Sequence, residues 1–409
     1  MPDICFYFQV HQPYRLRRYS LFEVGRAHDY FDGEANAAIV RKVAARCYVP
    51  MNELLLDLVE RHGGHFRVSM SLTGTVIEQM QQWAPEALAG FRRLVSTGCV
   101  ELLAETDAHS LAFAADAGEF VRQVDIHAAR IHDVFGARPR VFRNTELIFS
   151  NALARHLQER GFAGVLAEGA DAVLAGRSPG FVYTAHGAPK LPVLLKSYRL
   201  SDDIAFRFGD RNWPEHPLAA ARFAAWMHEA GGDLVNLFMD YETFGEHQWA
   251  STGIFEFMRE LPARAFERGM GFVTPSMSLE RCGAAGEIDV PRPVSWADAE
   301  RDMTAWTGNA MQRAALDAVF ALSRAVLDSG DETLVRDWRR LTTSDHFYYM
   351  CTKYFADGDV HAYFSPYESP YEAHINYMNV IADLRLRLSQ GRSAARGRRR
   401  QQAVQKVAA

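Results

Sequence analysis

The feature that most constrains this chain is an alternation that repeats along its first 290 residues. Short apolar or β-rich runs recur in order: ICFYFQV, HFRVSMSL, CVELLA, RVFRN, FAGVLA, VLLKSYRL, DLVNLFM and MGFVTP. Between most of them lie longer stretches whose apolar residues return at helical spacing, among them AAIVRKVAARCYVPMNELLLDLVERHG, EFVRQVDIHAARIHDVFG and HPLAAARFAAWMHEAGG. A strand followed by a crossover helix returns to its sheet in parallel, so the pattern predicts an α/β fold built on a parallel sheet. From about Ser295 the strand-like runs stop and helical patterns such as NAMQRAALDAVFALSRAVLDSG take over, with the proline-rich VPRPV near residue 290 as the joint. The expected organisation is an α/β domain over residues 1–290, a helical domain over 291–390 and a tail over 391–409. That tail, GRSAARGRRRQQAVQKVAA, is basic, small and without aromatics, and is expected to be disordered.

Polar residues stand at the C-terminal end of nearly every expected strand: His11 and Gln12, Ser71 and Thr73, Glu101 and Glu105, Asn144 and Glu146, Glu168, Asp240 and Glu242, Thr274 and Ser276. In an open sheet such residues gather near one switch point, whereas in a barrel every strand contributes to a common mouth. The number of contributing strands favours a barrel, although periodicity does not count its strands.

Composition narrows the partners. A formal net charge of −5 gives no basic face for nucleic acid, and a neutral or polar ligand fits better. The opening MPDICFYFQVHQP is too short an apolar run, too soon interrupted, to read as a signal peptide or a membrane span, so a cytoplasmic protein without a membrane partner is expected. The five cysteines, Cys5, Cys47, Cys99, Cys282 and Cys351, form no CxxC pair and indicate neither a disulfide framework nor a zinc ribbon.

The chemistry concentrates in two stretches. In RVFRNTELIFSN a strand ends at Arg143 and Asn144, Glu146 follows, and Ser150 is placed to cap the next helix. In LVNLFMDYETFGEHQW a buried strand runs out into Asp240, Glu242, Glu246 and His247, interleaved with Tyr241, Phe244 and Trp249. Taken alone, Glu146 reads as a first-turn carboxylate favoured by the helix dipole. Paired with Asp240 at the equivalent end of another strand, it supplies the two carboxylates that glycosidic bond cleavage requires.

These stretches belong to a set of five: VHQPYRL, GCVELLAETDAHSL, FRNTELIFSN, FMDYETFGEHQW and TSDHFYYM. In that order and spacing the sequence resembles glycoside hydrolase family 57, whose α-amylases, 4-α-glucanotransferases and branching enzymes act on α-glucans. The resemblance implies an incomplete TIM-like barrel of seven (β/α) strands followed by a helical bundle. It also implies that Glu146 is a nucleophile, Asp240 a general acid/base, and His11, Glu101, Glu242 and Asp345 part of the sugar subsite beside the cleaved bond. His109, His346 and Trp249 join them as substrate-binding candidates. The implied activity is a retaining α-amylase on α-1,4-glucans, working through a covalent glycosyl-enzyme with its carboxyls about 5–5.5 Å apart, without cofactor or metal. Transferase and branching enzyme remain as alternatives that use the same site. The absence of an obvious further C-terminal domain tips the expectation toward an amylase.

The remaining candidates have plainer readings. Glu105 and Glu168 are expected to stabilise loops or pair with arginines, Glu246 and His247 to lie outside the substrate shell, and Trp213, Trp249 and Trp306 to be either sugar platforms or buried packing. The aromatic and polar segment SDHFYYMCTKYFADGDVHAYFSPYESPY is read as the helical region reaching back over the barrel mouth. A metal-dependent deacetylase or mannosidase is the first rival; the fifteen histidines include no HExxH and no HxH, and His28 with Asp29 is an isolated couple. A glucan-binding protein without activity is the second, and both acids it would be expected to lack are present.

Overall fold

A computed structural model describes the backbone of residues 1–353 and 365–407 and the side chains of residues 1–353 and 365–390. The segment read as reaching over the mouth therefore falls partly outside the described residues, at 354–364.

The chain divides into two compact units. The first comprises residues 1–12, 36–109 and 122–303. It holds nine strands: β1 (Asp3–Val10), β2 (Val68–Leu72), β3 (Val100–Leu102), β4 (Val141–Arg143), β5 (Gly164–Ala167), β6 (Val182–Ala185), β7 (Ala188–Leu195), β8 (Leu234–Asp240) and β9 (Ala284–Ile288). They form one sheet in the order β3-β2-β1-β8, entirely parallel, and a second in the order β4-β5-β7-β6-β9, parallel apart from the β6–β7 hairpin. Both edges of the first sheet are linked to the second. Ala104 bridges Phe142, with Arg143 N–H donating to the Ala104 carbonyl at 2.8 Å, and Ser197 N–H donates to the Asn236 carbonyl at 2.8 Å.

Burial explains why these runs become strands. The residues of β2 and β5 are buried throughout, as parallel strands covered on both faces must be. Along β1 the two-residue period splits the side chains. Ile4, Phe6, Phe8 and Val10 join a large outer core, while Cys5 and Tyr7 meet Leu103, Val141, Leu166, Leu194 and Phe238 in an inner cluster. Each such fully buried aromatic or aliphatic side chain contributes roughly 1.5–3 kcal/mol. The register is what builds the site: Gln9 of β1 pairs with Ser71 of β2 on one side and with Asp240 of β8 on the other, so the strands end level. A helix starts at once beyond β2, with Thr73 accepting from Val76 N–H at 3.2 Å, and another follows β4 after a short turn, with Ser150 accepting from Leu153 N–H at 3.3 Å. MGFVTP, expected as a strand, makes only a bridge from Phe272 to Ile4, and the hairpin partner β6 and the exposed β9 were not expected.

The second unit gathers residues 13–35, 110–121 and 304–409. Its helices include Ala310–Phe320, Glu332–Leu341, Ser344–Tyr348 and Pro370–Val407, packed around Trp306, Trp338, Leu341, Tyr377 and Leu384. The expected boundary at 290 is therefore corrected. Residues 291–303 stay with the first unit because Val294 pairs with Phe149 in both directions. The excursions after β1 and β3 belong to the second unit, where Tyr19 N–H donates to Asn376 and Ser110 bridges Thr343. No linear pattern announces such long-range pairing. His28 and Asp29 do not form a couple: Asp29 pairs with Arg17, and His28 Nδ1 lies 2.8 Å from buried Asp383, which also accepts from the Tyr30 hydroxyl and Gly25 N–H. The tail expected to be disordered continues as helical backbone to Val407, in keeping with the high helix propensity of its Ala, Arg and Gln residues.

Candidate active site

Five strand ends of the first unit carry the polar cluster. At the end of β1, His11 donates its backbone N–H to Glu242 Oε1 at 3.3 Å, and its Nδ1 lies 2.9 Å from Thr73 Oγ1. Its ring stacks on that of His109 with centroids 4.1 Å apart. Beyond β3 the chain continues through Leu103 and the bridged Ala104 to Glu105, a fully buried carboxylate that lies 3.3 Å from Gln9 Nε2 and 3.2 Å from His109 Nδ1. The other ring nitrogen of His109 lies 3.2 Å from Glu146 Oε1. Glu146 follows β4, and its second oxygen, Oε2, accepts from the indole Nε1–H of Trp296 at 2.7 Å. Asp240 closes β8, and Glu242, one turn on, accepts from the Tyr48 hydroxyl.

Backbone strain marks the same places. Glu146 stands at φ 58° and ψ 26°, a left-handed conformation that costs a side-chain-bearing residue about 1–3 kcal/mol. Among the described residues, Leu147 and His109 share a positive φ with it, as do Asp298 and Arg301 on the loop that carries Trp296, and Ala175 apart from these.

The surroundings divide the ionisable groups. Burial, together with the charge of Glu146, raises Asp240 to about 6, despite the opposing pull of Arg143, His109 and Lys196. Burial and the charge of Asp240 lift Glu242 to about 8. For His109, burial works against the charged form, but the hydrogen bonds to Glu105 and Glu146 outweigh it and raise the group to about 9. Burial likewise opposes ionisation of Glu105, yet the His109 contact and charge bring it down to about 2. Near neutrality His109 is thus an imidazolium donating to Glu105 and to Glu146, while Glu242 keeps its proton and Asp240 is poised to exchange one. A carboxylate held by two donors beside a carboxyl that retains a proton into this range is suited to nucleophilic attack with proton transfer.

The structure brings together His11, His109, Glu146, Asp240 and Glu242 from the expected set, and leaves others elsewhere. Glu101 lies within β3 and takes the backbone N–H and hydroxyl of Ser276, in the first turn of the helix Pro275–Arg281. The carboxylate that this stretch contributes to the cluster is Glu105. Asp345 sits in the second unit, one place inside the helix Ser344–Tyr348, with Thr343 at the capping position. His346 is buried in that unit, its Nε2 3.1 Å from the Arg340 carbonyl and its ring against Tyr377. Trp249 is 61% exposed on the loop after β8, Trp213 packs against Trp226, and Trp306 is buried. Glu246 pairs with Lys42 and Glu168 with Arg301. Sequence reasoning missed Trp296 altogether; its segment, SWADAE, carries no periodic or motif signal. Among the described residues, no group of three or more His, Cys, Asp or Glu is arranged to hold a metal ion.

Comparison with known proteins adds a family. The model of glycosyl hydrolase family 57 matches residues 5–291. The chain is 38% identical over 394 residues to a Methanocaldococcus jannaschii protein named "Putative alpha-amylase", covering 93% of this chain and 83% of that one. Among the solved structures that share the fold are a glucanotransferase and a branching enzyme. The 4-alpha-glucanotransferase of Thermococcus litoralis superposes with a TM-score of 0.69 at 15% identity over 94% of this chain, which spans only 60% of that protein. The branching enzyme of Pyrococcus horikoshii superposes with a TM-score of 0.66 at 14% identity, over 93% of this chain and 88% of its own.

Proposed function

This chain belongs to glycosyl hydrolase family 57 and is a glycoside hydrolase, and from that premise we propose that it cleaves α-1,4-glucans with retention, as an α-amylase. The observation that carries the reading is the unequal pair at the ends of β4 and β8. Glu146 is oriented by His109 and Trp296, while Asp240 is raised to about 6 by burial and by the charge of Glu146. In this mechanism Glu146 attacks the anomeric carbon as Asp240 gives its proton to the departing glycosidic oxygen. A water then attacks the anomeric carbon of the resulting ester, transferring its proton to Asp240 as the carboxylate of Glu146 departs. His11 and Glu242 hold sugar hydroxyls beside the bond. The incomplete TIM-like barrel of seven strands belongs to the same proposal. Its support is the pair of links that join the two sheets, at Ala104–Phe142 and Ser197–Asn236, and the inner cluster to which β1, β4, β5, β7 and β8 all contribute.

The name of the Methanocaldococcus relative favours hydrolysis over transfer. The experiment that tests the reading is proton NMR of the first product anomer from maltoheptaose, with chromatography of the products. Net retention and shorter maltooligosaccharides alone are expected. Inversion would overturn the two-step mechanism, and products longer than the substrate would replace hydrolysis by transfer.

A further inference from the structure

Trp296 is held in place more elaborately than a packing residue needs. Its backbone N–H donates to the Glu146 carbonyl at 3.2 Å while its indole N–H reaches the Glu146 carboxylate at 2.7 Å. The loop that carries it is pinned on both sides. Val294 pairs with Phe149, Ser295 N–H donates to the Arg301 carbonyl at 3.0 Å, and the Ser295 hydroxyl donates to the Asp302 carbonyl at 2.7 Å. Arg301, itself at φ 51°, pairs with Glu168 at 3.2 Å and with Asp202 at 3.3 Å.

Two cations lie over the indole. The Arg143 guanidinium carbon is 4.6 Å from the ring centroid and Lys196 Nζ is 5.4 Å away. Arg143 is fully buried, and among the described residues none of its three side-chain nitrogens has a hydrogen-bond partner. A buried guanidinium left without acceptors is costly unless something else uses its charge. The faces of Trp296 and, at 5.8 Å, Tyr7 lie against it, and the carboxylates of Asp240 and Glu105 are near enough to feel its charge. A cation over an indole draws electron density out of the ring and leaves the N–H more positive, and so a stronger donor toward an anion.

We propose that Trp296 is a catalytic residue of the second chemical step, its indole N–H stabilising the charge that returns to Glu146 when the glycosyl-enzyme ester is cleaved, with Arg143 and Lys196 as positioning residues that strengthen it. The inference rests on the reading of Glu146 as nucleophile. In that step the bond between the anomeric carbon and the Glu146 oxygen breaks, and its electron pair returns to the carboxylate. The oxygen of water bonds to the anomeric carbon, and the water proton passes to Asp240. Negative charge grows on Glu146 as this happens, so the Trp296 hydrogen bond tightens toward the transition state. In the first step charge leaves Glu146 and the same bond weakens, so Trp296 assists ester hydrolysis and does not assist ester formation.

The test is stopped-flow release of fluoride from α-maltotriosyl fluoride by the full-length enzyme. In Trp296→Phe a burst of fluoride equal to the enzyme concentration is expected. It should be followed by a kcat lower by about 10–100-fold, the factor that a hydrogen bond to a charged group supplies. KM should fall with kcat, leaving kcat/KM within about threefold of wild type, because the first step is spared. Arg143→Met keeps the indole and should move the same parameters in the same direction by a smaller factor; it also carries the test where Trp296→Phe does not fold. A loss of kcat/KM in parallel with kcat, without a burst, is what a merely structural Trp296 would produce, and it would overturn the inference. A 5-fluoro-α-glycosyl fluoride separates the two levels of failure. Wild type labelled at Glu146 but variants without a burst would sink only the role of Trp296, whereas unlabelled wild type with inverted product would sink the nucleophile as well.

Discussion

Replacing Glu105 by glutamine keeps the shape of a buried side chain and removes its charge from beside His109. In the native site Glu105 is fully buried, His109 is 2% exposed, and their contact is 3.2 Å. The rise of His109 from 6.5 to about 9, against the penalty of burial, corresponds to about 3 kcal/mol. The fall of Glu105 from 4.5 to about 2 is the same pairing seen from the other partner, so the energy is counted once. Glu146 supplies part of the effect on His109, which makes about 3 kcal/mol an upper figure for the substitution. The raised imidazolium contributes stability that is complete below its unfolded pKa and is lost as pH rises through about 9. The depressed carboxylate contributes stability that is complete above its unfolded pKa and is lost as pH falls through about 2. The wild-type advantage should therefore be widest between about pH 4.5 and 6.5 and should shrink on either side. In that window Glu105→Gln should melt roughly 3–5 °C below wild type, and the gap should close substantially by about pH 9.5. Calorimetric melts of both proteins across this range measure it directly. A gap that does not change with pH would show that Glu105 acts by packing alone, and the electrostatic account of the cluster would be wrong.

Glu146→Ala and Asp240→Asn should each lower kcat by about three orders of magnitude or more with little change in melting temperature. Azide should partly restore Glu146→Ala by forming a glycosyl azide of inverted configuration, and near-normal turnover in either variant would refute the assignment. The kcat/KM of wild type should decline as pH rises through about 6, because Asp240 then loses the proton it donates; a plateau extending past pH 8 would assign the acid to another group. Exhaustive chelation should leave the rate on maltooligosaccharides unchanged, and a loss restored by zinc would favour a metal-dependent reaction.

Much of this site can be read from the sequence because it is built at strand ends. His11, Glu146, Asp240 and Glu242 are each among the first polar residues after an apolar run, and register pairing places Gln9, Ser71 and Asp240 side by side. The same rule applied strictly would have ranked Glu105 above Glu101. The run CVELLA ends at Ala104, and the Ala104–Phe142 bridge carries the strand path past Leu102, so Glu101 lies inside the sheet and Glu105 at its end. Trp296 lies beyond the reach of any such rule. It meets Glu146 across 150 residues of chain, through a loop whose course is set by Val294 on Phe149 and Arg301 on Glu168. The unit boundary escapes the sequence for the same reason, since residues 13–35 and 110–121 interrupt the α/β pattern locally and join helices hundreds of residues away.

Local preference and observed backbone part company most sharply at Glu146. A stretch such as FRNTELIFSN, apolar and then helix-capped, predicts ordinary extended and helical angles, and neither Glu146 nor Leu147 adopts them. The left-handed turn sends the Glu146 carboxylate toward His109 and Trp296, where a regular helical first turn would have satisfied it with backbone N–H groups. Strain of about 1–3 kcal/mol at each such residue persists only where the surroundings over-determine the conformation. Here they do: Thr145 Oγ1 is fixed to Thr106 Oγ1 at 2.9 Å, Asn144 Nδ2 donates to the Ile148 carbonyl at 3.0 Å, and Leu147 is buried in the inner cluster. The helix cap at Ser150 begins only after the turn is complete. A glutamate whose role was to satisfy the helix dipole would need none of these restraints, and their presence on both sides of Glu146 supports the proposal that it is the nucleophile.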